Sequence, residues 1–334
     1  MENNLFAYSS SPHAKNPRTT KGIMIEVCVA LLPACIMGVV FFKLNALFLI
    51  LVSLLSAVAS EFVYYLIVGK TFKQIASQFD FSSCVTGLLI AMVMGAQTPL
   101  YVPVFANAFA IIVVKLIFGG TGKNLVNPAI AGRIFAFISF TAVMASGWIL
   151  PSISAINGGS SYDLETGATA LTPILESGIL PNLTNLDLLL GTGLVGCIGE
   201  TCKVALLLGG VYLAVRKIIN PLYPVIYIAV SGLFAVCLNG FDFSFFLPSI
   251  LSGGLILGAV FMATDYVTTP NSFLGNVIYF ALLGLLTTGL RVATGMEVVS
   301  FAILLMNLFV PLIDKFVYPK PFGYIKQKTI KGER

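Results

Sequence analysis

Apolar residues run along this chain in blocks of about 20, the length an α-helix needs to cross a hydrocarbon core of roughly 30 Å. Short segments rich in polar residues, glycine and proline separate the blocks. The pattern predicts ten spans, at 23–42, 44–68, 82–97, 101–119, 127–149, 188–215, 221–238, 247–264, 274–292 and 298–318. Glycine and threonine interrupt the third, eighth and ninth. The expected fold class is an all-α integral membrane protein of about ten transmembrane helices.

Composition agrees with the pattern. Hydrophobic residues make up 57% of 334 and charged residues only 10%, against about 25% charged in a soluble globular chain. The first 22 residues are polar, and the apolar run that follows is too long for the core of a cleavable signal peptide. Lys and Arg set the expected orientation. Alternating the spans puts Lys15, Arg18, Lys21, Lys70, Lys73, Lys123, Arg216 and Lys217 on one side, with the tail residues Lys320, Lys326, Lys328, Lys331 and Arg334. No Lys or Arg occurs between Arg133 and Lys203, so the loop 150–187 falls on the other side with Asp163, Glu165, Glu176 and Asp187. Lys43 and Arg291 run against the count without reversing it. The expected organisation is a cytoplasmic arm 1–22, a first five-helix block 23–149, an extracytoplasmic loop 150–187, a second five-helix block 188–318 and a basic cytoplasmic tail 319–334. The net charge of +5 comes from these loops and the tail and implies no nucleic-acid partner.

The two blocks repeat each other weakly. Gly87-Leu88-Leu89-Ile90-Ala91-Met92-Val93, followed by Gln97-Thr98-Pro99, resembles Gly254-Leu255-Ile256-Leu257-Gly258-Ala259-Val260, followed by Thr268-Thr269-Pro270. The run from Thr121 to Ile130 aligns without a gap on Thr294 to Ile303. An odd number of spans separates equivalent points, so the blocks are expected to be inverted relative to each other. Inverted repeats place sites at their interface, where helices are broken. Here the breaks are Gly119-Gly120-Thr121-Gly122 before Asn127-Pro128, and Thr264-Asp265 with Thr268-Thr269-Pro270. Proline suits a first helical turn and Asn127 can cap it. For Asn124 and Asn127, capping and ligand contact are both open. A phosphate-binding P-loop is excluded, because Ile117 stands where its first glycine belongs and Asn124 replaces its Ser or Thr.

Seven ionisable residues fall within or beside the spans: Glu26, Glu61, Lys115, Arg133, Glu200, Lys203 and Asp265. Such groups cost free energy in a bilayer and are functional candidates. Glu200 lies mid-span, and Lys203, three residues on, would share its helical face and could pair with it. Glu200, Lys203, Glu61 and Asp265 are the candidates for an ion pathway. Cysteine offers less. The six are scattered through apolar runs with no CxxC pair, and the single histidine is in the N-terminal arm, so no metal site is expected.

The loop 150–187 carries the remaining chemistry. Asp163-Leu164-Glu165-Thr166-Gly167-Ala168-Thr169 presents two hydroxyls with nothing bulky between them, either as an ordinary turn and helix cap or as a segment open to a modifying enzyme. The motif Asp-x-x-Thr-Gly-Ala-Thr, in a loop after five spans, resembles the flavinylation motif of the NqrB/RnfD family, most closely RnfD. The family's membrane subunits belong to sodium-pumping quinone reductases and to Rnf ferredoxin:NAD oxidoreductases. The resemblance extends to Gly-Gly-Thr-Gly before Asn127-Pro128-Ala129, to Phe261-Met262-Ala263-Thr264-Asp265 and to the short N-terminal arm.

The resemblance implies a urea-transporter-like architecture and covalent FMN on Thr169, with Asp163, Thr166, Gly167 and Ala168 as the rest of the motif. It also implies a non-covalent riboflavin between the spans, for which Thr121, Gly122, Asn124 and Asn127 are the candidate contacts. The subunit would carry electrons between ferredoxin and NAD and help translocate Na+ or H+ across the bacterial cytoplasmic membrane, without catalysing alone. Its implied partners are the other Rnf subunits, including a second covalent-FMN subunit and iron-sulfur membrane subunits, with a flavin transferase for maturation and membrane lipid. An NqrB-like quinone reductase subunit and a non-redox small-solute transporter are the alternatives. The FMN phosphodiester would be anionic in a loop with four acids and no base, so Arg291 or a neighbouring subunit is expected to meet it.

The charge pattern is testable directly. Alkaline phosphatase fused after Glu176 should be active in a bacterial host, and the same enzyme fused after Lys217 should be inactive. The reverse result would invert the topology.

Overall fold

The computed structural model of the chain describes residues 18–146, 174, 184–191 and 196–317. The described residues are all-α, without a β-strand. The motif at 163–169 and the tail from 318 lie outside them.

Most predicted spans coincide with helices, but several are shorter than a bilayer requires. Thr20–Ile67 is one helical run of 48 residues, starting where the Thr19 hydroxyl accepts from Gly22 N at 3.1 Å. Non-helical backbone at Lys43 (φ 54°, ψ −135°) divides it into the two expected spans. Tyr101–Ala108 continues through the π-helical turns Phe109–Leu116. Pro128–Ser139 ends at Phe140, beyond which Thr141–Ser146 makes a separate helix. The expected span 188–215 is broken into Asn185–Leu190, the 3-10 turn Ile198–Glu200 and Lys203–Val215. Leu222–Leu238, Phe273–Thr294 and Val299–Phe316 complete the second block.

Two spans are bent pairs of helices. Phe72–Gln78 meets Ser82–Met92 at 69°, and Phe243–Leu251 meets Leu255–Met262 at 68°. Among the described residues, three helices are long and apolar enough to cross a membrane, or five if each bent pair counts as one span. The other apolar helices fall short of the roughly 20 residues a crossing needs. The second bend falls at Ser252-Gly253-Gly254, where helix propensity is low. The first falls at Phe79-Asp80-Phe81, and the expected ninth span is the unbroken helix Phe273–Thr294 despite its glycines and threonines.

Close approach at glycine packs the helices together. Gly209 lies against the carbonyl of Ala30, joining Lys203–Val215 to the first helix. Gly284 lies against the backbone of Tyr227 and Ser231. Here the hydroxyls of Ser231 and Thr288, and of Tyr227 and Thr287, pair at 2.8 Å. Small residues and hydroxyl bonds of this kind hold helices together where lipid removes the hydrophobic drive between them. Large apolar side chains, among them Leu55, Leu208, Val215 and Phe309, cover the outside. This exterior suits a multi-pass membrane protein.

Gly209→Val would drive a branched side chain into the Ala30 carbonyl, and overpacking of this kind costs about 1–3 kcal/mol. A lower melting temperature is expected for the detergent-solubilised variant. Gly289→Val is the control, because a Cβ at Gly289 makes only ordinary contact with Phe234 at 3.8 Å.

Candidate functional site

The richest polar cluster lies where Ser82–Met92 begins. Phe81 takes the left-handed conformation (φ 64°), and the Asp80 carboxylate receives Ser82 N at 3.0 Å and the Ser82 hydroxyl at 2.6 Å. The π-helical turns place Lys115 beside this helix start. Its ammonium donates to Ser82 Oγ (2.6 Å), Ser83 Oγ (3.2 Å) and Glu61 Oε1 (3.1 Å) and stands 3.8 Å from Asp80. The Ser83 hydroxyl donates to Glu61, and Ser82 Oγ lies 3.2 Å from Thr121 Oγ1. The Lys115 ammonium and the hydrogen bonds from Ser82 compensate the Asp80 carboxylate at this break. Glu61 and Lys115 are almost fully buried, and each compensates the other's charge.

This cluster forms one wall of a cavity of about 110 Å³ that reaches both blocks of the chain. Lys115, Ser82, Thr121, Asn124 and Asn127 line it from the first block, with Thr264 and Asp265 from the second. Asn127 caps Pro128–Ser139, accepting from Ala129 N at 2.9 Å, and its amide donates to Met262 O across the interface at 3.0 Å. It is therefore both a cap and a cross-link. Asn124 bonds Val126 O at 3.0 Å and also reaches Asp265. Tyr266, bonded to the carbonyl of Ile218, borders both this cavity and a neighbouring one of about 600 Å³ lined by Lys217, Asn220, Tyr223, Asn271 and Asn276. Arg18 bonds Lys217 O at 3.2 Å and Arg216 clasps Glu26 at 2.5 Å, so the predicted basic residues gather at this end.

Glu200 lies elsewhere, and its expected pairing is corrected. The helix breaks between Glu200 and Lys203, so the two do not share a helical face. The Lys203 ammonium instead donates to the Glu200 backbone carbonyl. The Glu200 carboxylate faces Arg133 of the first block, Oε1 lying 3.9 Å from Nη2, while Arg133 Nη1 donates to Ser300 at 2.9 Å. Arg291 is also not where expected. It is buried in the last turn of Phe273–Thr294, 2.9 Å from Glu297, and donates to the carbonyls of Ser249 and Ser252. A guanidinium so engaged is not open to meet a phosphodiester.

The structure thus brings Thr121, Asn124, Asn127 and Asp265 around one cavity, with Gly122 (φ 91°) in the adjoining turn and Glu61 one contact behind through Lys115. It does not bring Glu200 and Lys203 to that cavity. Asp163, Thr166, Gly167, Ala168 and Thr169 lie outside the described residues. Sequence reasoning missed the roles of Asp80, Ser82 and Glu297. Asp80 and Ser82 carried the signal of a side-chain turn before a helix, and Glu297 stood in the second copy of the aligned repeat.

Charged groups buried where helices break, inside an apolar exterior, define a multi-pass membrane protein with internal polar sites. The chain matches the NQR2, RnfD, RnfE family over residues 7–323 and belongs to that family. It is 38% identical to the D subunit of the Na(+)-translocating ferredoxin:NAD(+) oxidoreductase complex of Acetobacterium woodii, over 96% of each chain. With the D subunit of the proton-translocating ferredoxin:NAD(+) oxidoreductase complex of Clostridium ljungdahlii it shares 35% identity, over 97% of this chain and 98% of the relative. With the D subunit of the ion-translocating oxidoreductase complex of Stutzerimonas stutzeri the figure is 33%, over 90% and 91%.

Lys115→Met should destabilise the protein by about 3–5 kcal/mol, because it leaves Glu61 buried without its counter-charge. Denaturant unfolding in detergent would measure this, and Lys115→Met with Glu61→Leu should recover most of the loss.

Proposed function

We propose that this chain is the flavin-carrying membrane subunit of an Rnf-type complex, coupling electron transfer between ferredoxin and NAD to Na+ or H+ translocation. The observation that carries the reading is the family match across residues 7–323, in a chain whose long loop holds the full motif Asp163 to Thr169. Relatives from ion-translocating ferredoxin:NAD(+) oxidoreductase complexes, similar over nearly their whole length, support it. The subunit works with other Rnf subunits, a second covalent-FMN subunit and iron-sulfur membrane subunits among them, in the bacterial cytoplasmic membrane with both termini cytoplasmic. A flavin transferase joins FMN through its phosphate to the Thr169 hydroxyl. Flavin carries the electron chemistry; the protein supplies position and electrostatics.

The ten-span inverted plan belongs to the same reading. Its support is the pair of bends at 69° and 68°, with a π-helical segment in each block. Riboflavin is a weaker part. The cavity at Thr121, Asn124 and Asn127 measures about 110 Å³, below the roughly 300–1,000 Å³ of pockets that enclose such ligands. Both hydrogen-bonding ends of the Asn127 amide are engaged within the protein. The ring does not fit the cavity in this conformation, and no step is assigned to it. Similarity also leaves the ion open, since relatives at 38% and 35% identity are named for Na+ and for protons. An NqrB-like role with quinone as acceptor is the second reading, favoured only by the breadth of the family.

Intact mass of the subunit made with and without a flavin transferase tests the proposal. A gain of one FMN less one water is expected with the transferase, and none in Thr169→Val. A wild-type chain left unmodified by the transferase would instead favour a non-redox small-solute transporter.

A further inference from the structure

Five ionisable side chains gather where the broken elements of the two blocks meet: Glu200, Lys203 and Arg291, which are buried, and Arg133 and Glu297, which are partly buried. Ile198 N bonds Met94 O at 3.0 Å, which sets the turn Ile198–Glu200 against the end of Ser82–Met92. The break at Ser252-Gly253-Gly254 runs past both acids. A Cβ at Gly254 would lie 2.7 Å from Glu200 Oε1, and Gly253 faces Glu297 and Arg291. Arg291 and Glu297 cancel as a direct pair at 2.9 Å. Glu200 and Arg133 face each other at 3.9 Å, so their charges offset without a hydrogen bond.

Lys203 is left over. It is 1% exposed, and its ammonium donates to the Glu200 carbonyl. Among the described residues no carboxylate oxygen stands within ion-pair distance of it. Glu200 and Glu297 are the acids whose field reaches it, with the thiols of Cys197 and Cys202 also facing it, and Arg133 stands beyond Glu200. With Lys203 charged the cluster carries one net positive charge; with Lys203 neutral it carries none. Guanidinium groups keep their protons in proteins, whereas a buried lysine can exist in either state. Lys203 and the Glu200 carboxylate, unlike the two guanidinium groups, are therefore groups whose charge a proton can change. Unused hydrogen-bonding capacity continues from that carboxylate. Glu200 Oε1, Ser252 Oγ, Ser249 Oγ and Arg291 Nε are buried without partners, and Arg291 links the two serine carbonyls to the end of its helix. Buried polar atoms of this kind are the places that ordered water occupies.

We propose that Lys203, with Glu200, is a proton-carrying site of this subunit. Lys203–NH2 takes one proton from hydronium to become Lys203–NH3+, leaving water. The proton then passes through a bridging water to the Glu200 carboxylate, giving the neutral amine and Glu200–COOH. Glu200–COOH then gives the proton to water at the Ser252-Gly253-Gly254 break, which regenerates the carboxylate and forms hydronium, and Arg133 keeps a counter-charge beside Glu200 throughout. No bond other than N–H and O–H changes. The site rests on the Rnf-type reading for the electron transfer that drives it, and it commits the ion carried here to H+.

The test uses the whole complex in proteoliposomes, with ferredoxin oxidation by NAD+ and lumen acidification recorded together. Lys203→Met and Lys203→Arg should both keep at least half of the electron-transfer rate and lose at least tenfold in coupled acidification. Arginine preserves the charge but cannot release a proton, so a purely structural lysine would be rescued by Lys203→Arg, and that rescue would overturn the proposal. Wild-type complex gives a second arm that needs no variant. Its transport should persist in sodium-free buffer and collapse with a protonophore; collapse with a sodium ionophore alone would also overturn it. A wild-type complex with no ferredoxin:NAD activity would defeat the Rnf-type reading instead.

Discussion

Charge buried without water is the constraint on which the structure depends. An ammonium or carboxylate in a hydrocarbon-like interior is costly unless an opposite charge and hydrogen bonds meet it. Glu61 is met by Lys115 and Ser83, Arg291 by Glu297, and Glu200 by Arg133. Glu61 and Lys115 come from different helices and Glu200 and Arg133 from different blocks, while Glu297 lies in the turn that follows the helix of Arg291. The Glu61–Lys115 and Glu200–Arg133 pairs fix a register between elements that van der Waals packing alone would leave free to slide.

The helix breaks make these pairings possible. An unbroken helix satisfies its own backbone and offers only side chains. At Phe81, Gly253 and the turn Ile198–Glu200 the chain leaves the helix, and carbonyls such as Glu200 O and Ser252 O become acceptors for buried cations. Irregular backbone at membrane depth survives only where protein or water satisfies it. The two polar clusters, around Lys115 and around Glu200, both sit at such places.

The family assignment and the geometry bear on different questions. Similarity over nearly the whole chain gives the kind of complex in which the relatives work. The geometry says which buried groups are locked in pairs and which is not. Lys115 has a carboxylate partner at 3.1 Å, and Lys203 has only a carbonyl. Two lysines equally conspicuous in an apolar sequence thus have different chemical freedom.

Periodicity and composition determined the helical class, most helix positions and the breaks at Gly119–Gly122 and Gly253-Gly254, but not those at 79–81 and within 188–215. Hydrophobic run length, glycine and proline act locally, so Asn127 before Pro128 could be read as a cap from two letters. The motif ending at Thr169 likewise belongs to one short segment of sequence and owes nothing to contacts. Partnership was different. Lys203 stood three residues from Glu200 and looked like its ion-pair partner, but the break between them turned one away and left Arg133, 67 positions earlier in the chain, to face the carboxylate. Asn127 became a cross-link to Met262 and Arg291 a buried partner of Glu297. Only the tertiary structure decided these matters, because a buried charge takes whichever counter-charge packing brings near, and packing joins residues far apart in sequence.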